Sequence, residues 1–229
     1  MIVAATLLCQ RKLTDWKIVL PSLFALTYED LHIYINVQYR FGEADSWNEM
    51  REWLKLQSKR YVLDEWSYES SWNKEATIKD EQDNSKRLVP ICIARNMAIQ
   101  YAKSSMATHL FFVDADVKVP ENSIQVLLKA HKPIIGGKVP SRFNNKNMFY
   151  VFGGQKYKQP LEKEGIYIVD HTTCGFLLIE RQVFREVLFS YDMEKGMSED
   201  PLYGLQARQK GFNWFYMPIL VAEHQSNNQ

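Results

Sequence analysis

The sequence has few cysteines, almost no net charge and no long hydrophobic run, and each of these excludes a class of protein. The three cysteines, Cys9, Cys92 and Cys174, form no CxxC pair. Such a sparse, odd set argues against a disulfide framework and a zinc knuckle. The formal net charge of +1 provides no overall field that would attract nucleic acid or a membrane surface.

No stretch approaches the roughly 18 consecutive apolar residues that a membrane-spanning helix needs. The apolar N-terminal run has no positively charged start and ends at Gln10-Arg11-Lys12 without a following cleavage site, so it is unlike a signal peptide. We therefore expect a cytoplasmic protein whose first residues form a buried strand.

What is present is the composition of an ordinary globular protein, with 46% hydrophobic and 24% charged residues. A length of 229 residues suits one domain, 1–229, better than two. No internal repeat or linker marks a second domain.

The first third of the chain alternates strand and helix patterns. We predict parallel strands with right-handed crossovers, since continuous apolar runs alternate with helical stripes. The predicted elements are a strand Ile2–Leu8, a helix capped by Thr14, a strand Leu31–Val37, a helix through Trp47 and Leu54, and a strand Tyr61–Leu63 ending at Asp64.

Residues 65–88 break this rhythm, being polar but laced with Trp66, Tyr68 and Trp72. They form either a surface excursion or a mobile lid whose aromatic rings meet a sugar or a base.

From Val89 onward the helix and strand patterns return. The predicted elements are a helix through Arg95 and Asn96, a strand His109–Val113, a helix after Pro120, a strand Ile134-Ile135, a hairpin-bearing insertion over 141–165, a strand Gly175–Ile179, a helix through Val183 and Leu188, a helix from Ser198 to Gly211, and a strand Trp214–Met217 followed by a tail with His224.

The central motif is Asp114-Ala115-Asp116, which directly follows an apolar strand. In an open α/β sheet, ligands bind beyond the carboxyl ends of the strands. Two carboxylates separated by one residue can hold a divalent cation such as Mn²⁺ or Mg²⁺, which would neutralise charge on a diphosphate leaving group. A solvated acidic turn is the alternative interpretation.

Four segments in this order resemble the GT-A glycosyltransferases, a superfamily that includes the large inverting family two and the Anp-type mannosyltransferases. They are Val89-Pro-Ile-Cys-Ile-Ala-Arg-Asn96, the strand ending in Asp114-Ala-Asp116, Thr172-Thr-Cys-Gly175, and Ser198-Glu-Asp-Pro201 with Arg208 and Gly211. The resemblance covers about residues 89–224 and implies a Rossmann-like GT-A fold with a mostly parallel mixed sheet. It also implies a nucleotide-sugar-binding half, 1–116, and an acceptor-binding half, 117–229.

The resemblance further implies a role for each matching residue. Asp116 and His224 would ligate the metal, with Asp114 binding it through water or binding the ribose, and Glu223 is the fallback ligand. Asp200 would be the general base of an inverting reaction, and Glu199 would orient it. The opposing interpretations are an exposed tail histidine and acids that merely offset the helix dipole.

Donor-binding residues are expected elsewhere in the motifs. Arg95, near the predicted start of its helix, would bind phosphate or sugar oxygens, and its alternative role is that of a surface arginine. The remaining candidates for contact with base, ribose or donor sugar are Thr6, Asp64, Thr173, Cys174 and, through close backbone approach, Gly175. Trp214 and Tyr216 could stack on a sugar, although aromatic residues in a strand are more often core.

The acceptor is left open as a glycan, a glycoconjugate or a modified nucleic acid, and the transferred sugar as a hexose or a pentose. A basic set flanks the insertion, either as a solvated surface or as the binding site of an acidic acceptor: Lys138, Arg142, Lys146, Lys156 and Lys158. A sugar-nucleotide nucleotidyltransferase is disfavoured because residues 9–14 contain no glycine-rich phosphate loop. A non-catalytic binding module is the third possibility.

Overall fold

The computed structural model describes residues 1–9, 13–40, 42–68, 81–140, 151–152, 155–156, 164–192, 194 and 197–224. The strands are β1 (Ile2–Cys9), β2 (Leu31–Arg40), β3 (Tyr61–Tyr68), β4 (His109–Val113), β5 (Val117–Lys118), β6 (Ile134–Lys138), β7 (Val151–Phe152), β8 (Gln155–Lys156), β9 (Tyr167–Val169), β10 (Phe176–Glu180), β11 (Trp214–Val221) and β12 (Glu223–His224). The helices are α1 (Trp16–Ala25), α2 (Asn48–Lys55), α3 (Glu81–Ser104), α4 (Ser123–Leu128), α5 (Arg181–Glu186) and α6 (Glu199–Gln209), with a 3-10 turn at Ala44–Trp47.

Eight strands form one mixed sheet in the order β3-β2-β1-β4-β10-β6-β11-β9. The pairs β1–β2, β2–β3, β1–β4 and β6–β11 are parallel, whereas β10 runs antiparallel to both of its neighbours and β9 runs antiparallel to β11. The predicted mostly parallel α/β sheet is therefore confirmed. Because β4 ends and β10 begins at the same edge, the acidic turn and the segment before β10 meet there.

Alternate residues of β1 enter two separate hydrophobic cores. Ile2 and Ala4 pack with α1, α2 and α4 on one face, while Val3 and Ala5 pack with α3, α5 and α6 on the other. This two-sided burial explains why the strands read as continuous apolar runs. Trp214 and Tyr216 are 1% exposed and lie in the second core, as the more common role of strand aromatics predicted.

Several predicted boundaries are wrong, and three of them bear on the site. Helix α3 begins at Glu81 rather than Val89 and continues through Pro90, so the polar excursion is partly helix. Strand β3 extends past Asp64 to Tyr68, because β2 supplies a paired neighbour along its whole length. Thr14 does not cap α1, since Asp15 is the residue before its first turn.

The C-terminal segment is ordered by pairing rather than forming a tail. Strand β12 lies antiparallel to β5, with His224 opposite Val117. Strand β11 reaches Val221 despite Pro218, and its register against β6 shifts between Met217 and Val221. The interpretation of His224 as an exposed tail residue is therefore wrong.

The predicted insertion contains an antiparallel pair, β7 with β8. Trp72, Arg142, Lys146 and Lys158 lie outside the described residues, as does the side chain of Lys156, so the lid and most of the basic set stay predictions. Lys138 ends β6. Within the described residues, no helix is both long and apolar enough to cross a membrane.

Three histidines should make the fold less stable in mild acid. Burial lowers the pKa of His32, His109 and His171 below the ordinary value of 6.5. Below about 6.5 the unfolded chain therefore binds more protons than the native protein, and stability falls as the pH drops. We expect a lower urea midpoint at pH 5.5 than at pH 7.5 (conditions about one unit either side of that pKa). The double variant His109→Gln, His171→Gln should show a weaker dependence, and an unchanged dependence would contradict this cause.

Candidate active site

The acidic turn lies where β4 leaves the sheet, next to the start of β10. The backbone N–H of Asp114 donates to the carbonyl of Gly175 at 3.1 Å, and the N–H of Val117 donates to the Asp114 carbonyl at 3.0 Å. A Cβ on Gly175 would lie 2.5 Å from Oδ2 of Asp114. Only glycine lets these two segments approach so closely. The predicted close approach of Gly175 to a ligand stays a prediction.

Asp116 and His224 face each other across the β5–β12 pair. His224 Nε2 lies 3.5 Å from Asp116 Oδ1, and its Nδ1 lies 2.7 Å from the carbonyl oxygen of Pro140. Only a protonated Nδ1 can bond that carbonyl, so the lone pair of a neutral His224 lies on Nε2. Two electron-pair donors then face one another, an arrangement that suits a shared cation.

Asp116 and His224 alone supply too few ligand atoms for a divalent cation, so a bound diphosphate or water would have to supply the others. No group of three or more His, Cys, Asp or Glu side chains able to hold a metal occurs among the described residues. Imidazole with carboxylate is a donor set that suits Mn²⁺ better than Mg²⁺, and diphosphate oxygens and water would complete the coordination. Glu223 is less suited than His224, because its side chain is 70% exposed and contacts Lys118 at 3.3 Å.

Arg95 lies buried among three carboxylates. Its side chain is 5% exposed; Nη1 donates to Asp200 Oδ1 and lies 3.8 Å from Glu199, while Nη2 lies 3.4 Å from Asp114. Burial opposes the positive charge, but Asp200 and the other acidic neighbours outweigh it and raise the pKa of Arg95 well above its ordinary value. Arg95 is therefore a permanent cation between the acidic turn and the start of α6.

The predicted position of Arg95 at a helix start is wrong. Arg95 is preceded in α3 by the residues from Glu81 onward, so it lies about 21 Å from the helix N-terminus at 1.5 Å per residue. The free N–H groups of that terminus cannot join Arg95 in binding phosphate. In the described structure its guanidinium contacts protein carboxylates instead.

The segment from Asp170 to Gly175 links β9 to the acidic turn and is held along its length. Its contacts are the ion pair of Asp170 with Arg208, Trp214 Nε1 donating to Thr172 Oγ1 at 3.1 Å, the Gly175 N–H donating to Thr173 Oγ1 at 3.1 Å, and the Cys174 N–H donating to Asp200 Oδ2 at 3.2 Å. Burial raises the pKa of the Cys174 thiol, which stays protonated. Cys174 thus adjoins Asp200, while contact of Thr173 and Cys174 with a donor sugar stays a prediction.

The sequence did not single out His171, although it lies in this same segment. Gly204 packs against it, since a Cβ on Gly204 would lie 3.1 Å from His171 Cβ. Burial lowers the pKa of His171, against the opposing effect of Asp200 and Asp170. No spacing pattern could have found it, because its approach to Asp200 depends on the packing of α6.

The two remaining donor candidates, Thr6 and Asp64, lie on β1 and β3. Thr6 is fully buried inside β1, three residues before that strand ends at Cys9, and its Oγ1 has no hydrogen-bond partner in the described structure. Asp64 accepts a 2.6 Å hydrogen bond from the Tyr34 hydroxyl within the β2–β3 layer. Neither is shown to touch a nucleotide.

Two surface depressions lie away from the acidic cluster. One, of about 310 Å³, is lined by residues around Leu31 and Arg60, and the other, of about 360 Å³, by residues around His109 and Arg181. They adjoin the starts of β2, β3 and β4, the edge opposite the acidic turn. Ligand chemistry is expected at the carboxyl edge, so neither is the candidate site.

Comparison with known proteins identifies the family of this chain. The family model described as glycosyltransferase family 25, N-terminal domain, matches residues 2–198. No curated protein matches the sequence.

Three solved structures with similar folds contain a nucleotide or a nucleotide sugar. The mannosyltransferase PcManGT from Pyrobaculum calidifontis, with GDP-Man and Mn²⁺, has a TM-score of 0.62 at 12% identity, covering 100% of this chain and 57% of its own. GalNAc-T7 with UDP, GalNAc and Mn²⁺ has a TM-score of 0.61 at 13% identity, covering 98% and 43%. TarS of S. aureus, residues 1–349, with UDP-GlcNAc has a TM-score of 0.59 at 12% identity, covering 99% and 59%.

A197 from STIV is matched over more of its length, with a TM-score of 0.53 at 13% identity and coverage of 99% and 87%. The chain thus spans about half the length of the transferase structures and most of A197. At these identities the likeness describes the fold.

Proposed function

This chain belongs to glycosyltransferase family 25, and from that premise we propose that it moves a hexosyl or pentosyl group from a nucleoside-diphosphate sugar to an acceptor hydroxyl, with Mn²⁺ as cofactor and inversion at the anomeric carbon. The observation that supports this most directly is the Asp116–His224 pair, set beside the buried Arg95–Asp200 pair. The Asp116–His224 pair would hold the cation that binds the donor. In the other pair, Asp200 would accept the proton of the acceptor hydroxyl.

Asp116 and His224 would hold the metal, with Asp114 next to them at the start of the same turn. Mn²⁺ bound there would neutralise the charge that develops on the departing nucleoside diphosphate. The Pro140 carbonyl fixes the ring of His224 so that Nε2 points at Asp116. Such an outer hydrogen bond orients a histidine ligand and selects its tautomer.

Asp200 would accept the proton of the acceptor hydroxyl while that oxygen attacks the anomeric carbon and the bond from carbon to the phosphate oxygen breaks. Its carboxylate is held by Arg95 and by the Cys174 N–H. Each carboxylate oxygen has a second lone pair, and the side chain is 18% exposed, so an acceptor can still reach it. Glu199, also near Arg95, would orient this group or bind a sugar hydroxyl.

The donor would lie against residues 1–116 and the acceptor against residues 117–229, with Thr173 and Cys174 facing the donor sugar between them. Thr6 and Asp64 are retained as proposed contacts to base or ribose. Acceptors proposed are a glycan, a glycoconjugate or a modified nucleic acid. UDP- and GDP-linked sugars are the first donors to test, since similar folds were solved with them.

The test is release of nucleoside diphosphate from a panel of UDP- and GDP-sugars, with Mn²⁺ and with a chelator. We expect Mn²⁺-dependent turnover that Asp116→Ala and His224→Ala reduce by about 100-fold or more, because loss of a ligand or of transition-state charge stabilisation has effects of that size. Glu223→Ala is the matched control on the same strand and should retain activity. Equal nucleotide binding with the metal chelated, together with unchanged turnover in Asp116→Ala, would contradict the proposal and leave a binding module.

A further inference from the structure

Aromatic side chains pack beside the guanidinium of Arg95. Its Cζ lies 5.1 Å from the ring centroid of Phe189, within the range of a cation–π contact. The ring of Tyr203 stacks on that of Phe189, with ring centroids 4.2 Å apart and an interplanar angle of 16°. The ring of Phe112 meets Phe189 edge-on, with centroids 5.5 Å apart. Phe189 is 3% exposed and Tyr203 fully buried, so this stack has no room to shift.

The backbone of Phe189 is held in turn by the residue next to Arg95. Asn96 Nδ2 donates to the Phe189 carbonyl at 2.9 Å, and the Phe189 N–H donates to Asn96 Oδ1 at 2.8 Å. The amide thus pairs with Phe189 as a neighbouring strand would. Phe189 lies after α5 and belongs to neither a helix nor a strand. The hydrogen bonds that its backbone would otherwise make in a helix or sheet are supplied by the Asn96 side chain.

These contacts form a closed loop: Arg95 and Asn96 are adjacent on α3, Asn96 fixes Phe189, and Phe189 lies against Arg95. The geometry points to Asn96 and Phe189 as positioning residues that aim the Arg95 guanidinium at Asp200. This inference rests on the proposed function, because it assigns a purpose to the placement of the proposed base. A displaced guanidinium would let the Asp200 carboxylate rotate, and small misplacements of a reacting group lower turnover strongly.

The two contacts of Arg95 predict which kinetic constant responds. Nη1 bonds Asp200, whereas Nη2 lies 3.4 Å from Asp114, near the outer limit of a hydrogen bond. Loosening Arg95 should therefore disturb the proton acceptor more than the donor site. Turnover falls, and the KM for the donor changes little.

The experiment compares Asn96→Ala and Phe189→Leu with Ile99→Val, a control in the buried face of the same helix that leaves these contacts intact. We expect kcat to fall by about 10-fold in the first two, with the donor KM within about twofold. In an Arg95→Lys background, Asn96→Ala should lower kcat by less than about twofold more, since residues that act through one group are not additive. Equal losses in both backgrounds, or a control that loses as much kcat, would overturn the inference.

A second measurement needs no catalysis. The Nε of Arg95 is buried and has no acceptor in the described structure, so its N–H signal in nitrogen-15 NMR should exchange slowly with water. Exchange should accelerate in Asn96→Ala and stay slow in Ile99→Val. Unchanged protection in Asn96→Ala overturns the positioning role, whereas absent transferase activity in the wild type with accelerated exchange in the variant contradicts only the proposed function.

Discussion

Replacing Arg95 with glutamine is expected to abolish most activity and to destabilise the fold. The substitution removes a positive charge, carried by a side chain that is 5% exposed, from its place near Asp114, Glu199 and Asp200. The repulsion between these carboxylates therefore increases. Breaking a buried ion pair from one side costs about 3–5 kcal/mol. We expect the lower end, about 3 kcal/mol, because Asp114 is 39% exposed and can be resolvated.

Urea unfolding measures the stability loss, and nucleoside-diphosphate release measures activity, for which a fall of about 100-fold or more is expected once Asp200 is no longer oriented. Arg95→Lys is the matched control: it keeps the charge but not the planar fork. It should recover most of the stability and little of the turnover. If Arg95→Gln unfolded at the wild-type urea concentration and turned over normally, the buried cation would have neither role.

Replacing Gly204 with alanine should destabilise the protein, although alanine is the better helix former. In an exposed helix interior this change stabilises by about 1 kcal/mol. Here a Cβ would lie 2.3 Å from the backbone carbonyl oxygen of Asp170 and 3.1 Å from the Cβ of His171. Neither of these atoms is the end of a flexible side chain that could move away. Overpacking of this kind costs about 1–3 kcal/mol, and moving the 170–175 segment would displace Cys174 from Asp200.

Leu205→Ala, one residue along α6 and 39% exposed, is the comparison variant and should change the urea midpoint little. Gly204→Ala should lower both the midpoint and turnover. A Gly204→Ala protein as stable as the wild type, with full activity, would show that α6 does not pack tightly against this segment.

Much of the fold could be predicted because a strand buried on both faces is a continuous apolar run in the sequence. The run from Ile2 and the run from His109 were both identified as strands, and the acidic turn follows the second as expected. The family match confirms the predicted glycosyltransferase resemblance. Boundaries failed where a distant partner decides them, as at β3, whose pairing with β2 runs to Tyr68.

The candidate site was predictable only in part, for the same reason. The spacing of Asp114 and Asp116 and the adjacency of Glu199 and Asp200 are properties of the chain. That His224 faces Asp116 is not: it depends on β12 pairing with β5, across more than a hundred residues. The burial of Arg95 was missed because Asp200, the carboxylate that it bonds, lies 105 residues further along the chain.

The sequence by itself determined the α/β class and the order of the motifs, because each follows from hydrophobic periodicity or from neighbours along the chain. Only the tertiary structure decided that Arg95 is a buried counter-charge, that Asn96 fixes Phe189 beneath it, and that His171 adjoins α6. These contacts depend on which surfaces pack together. Packing joins residues that are far apart in the sequence, and no local sequence pattern indicates that they touch.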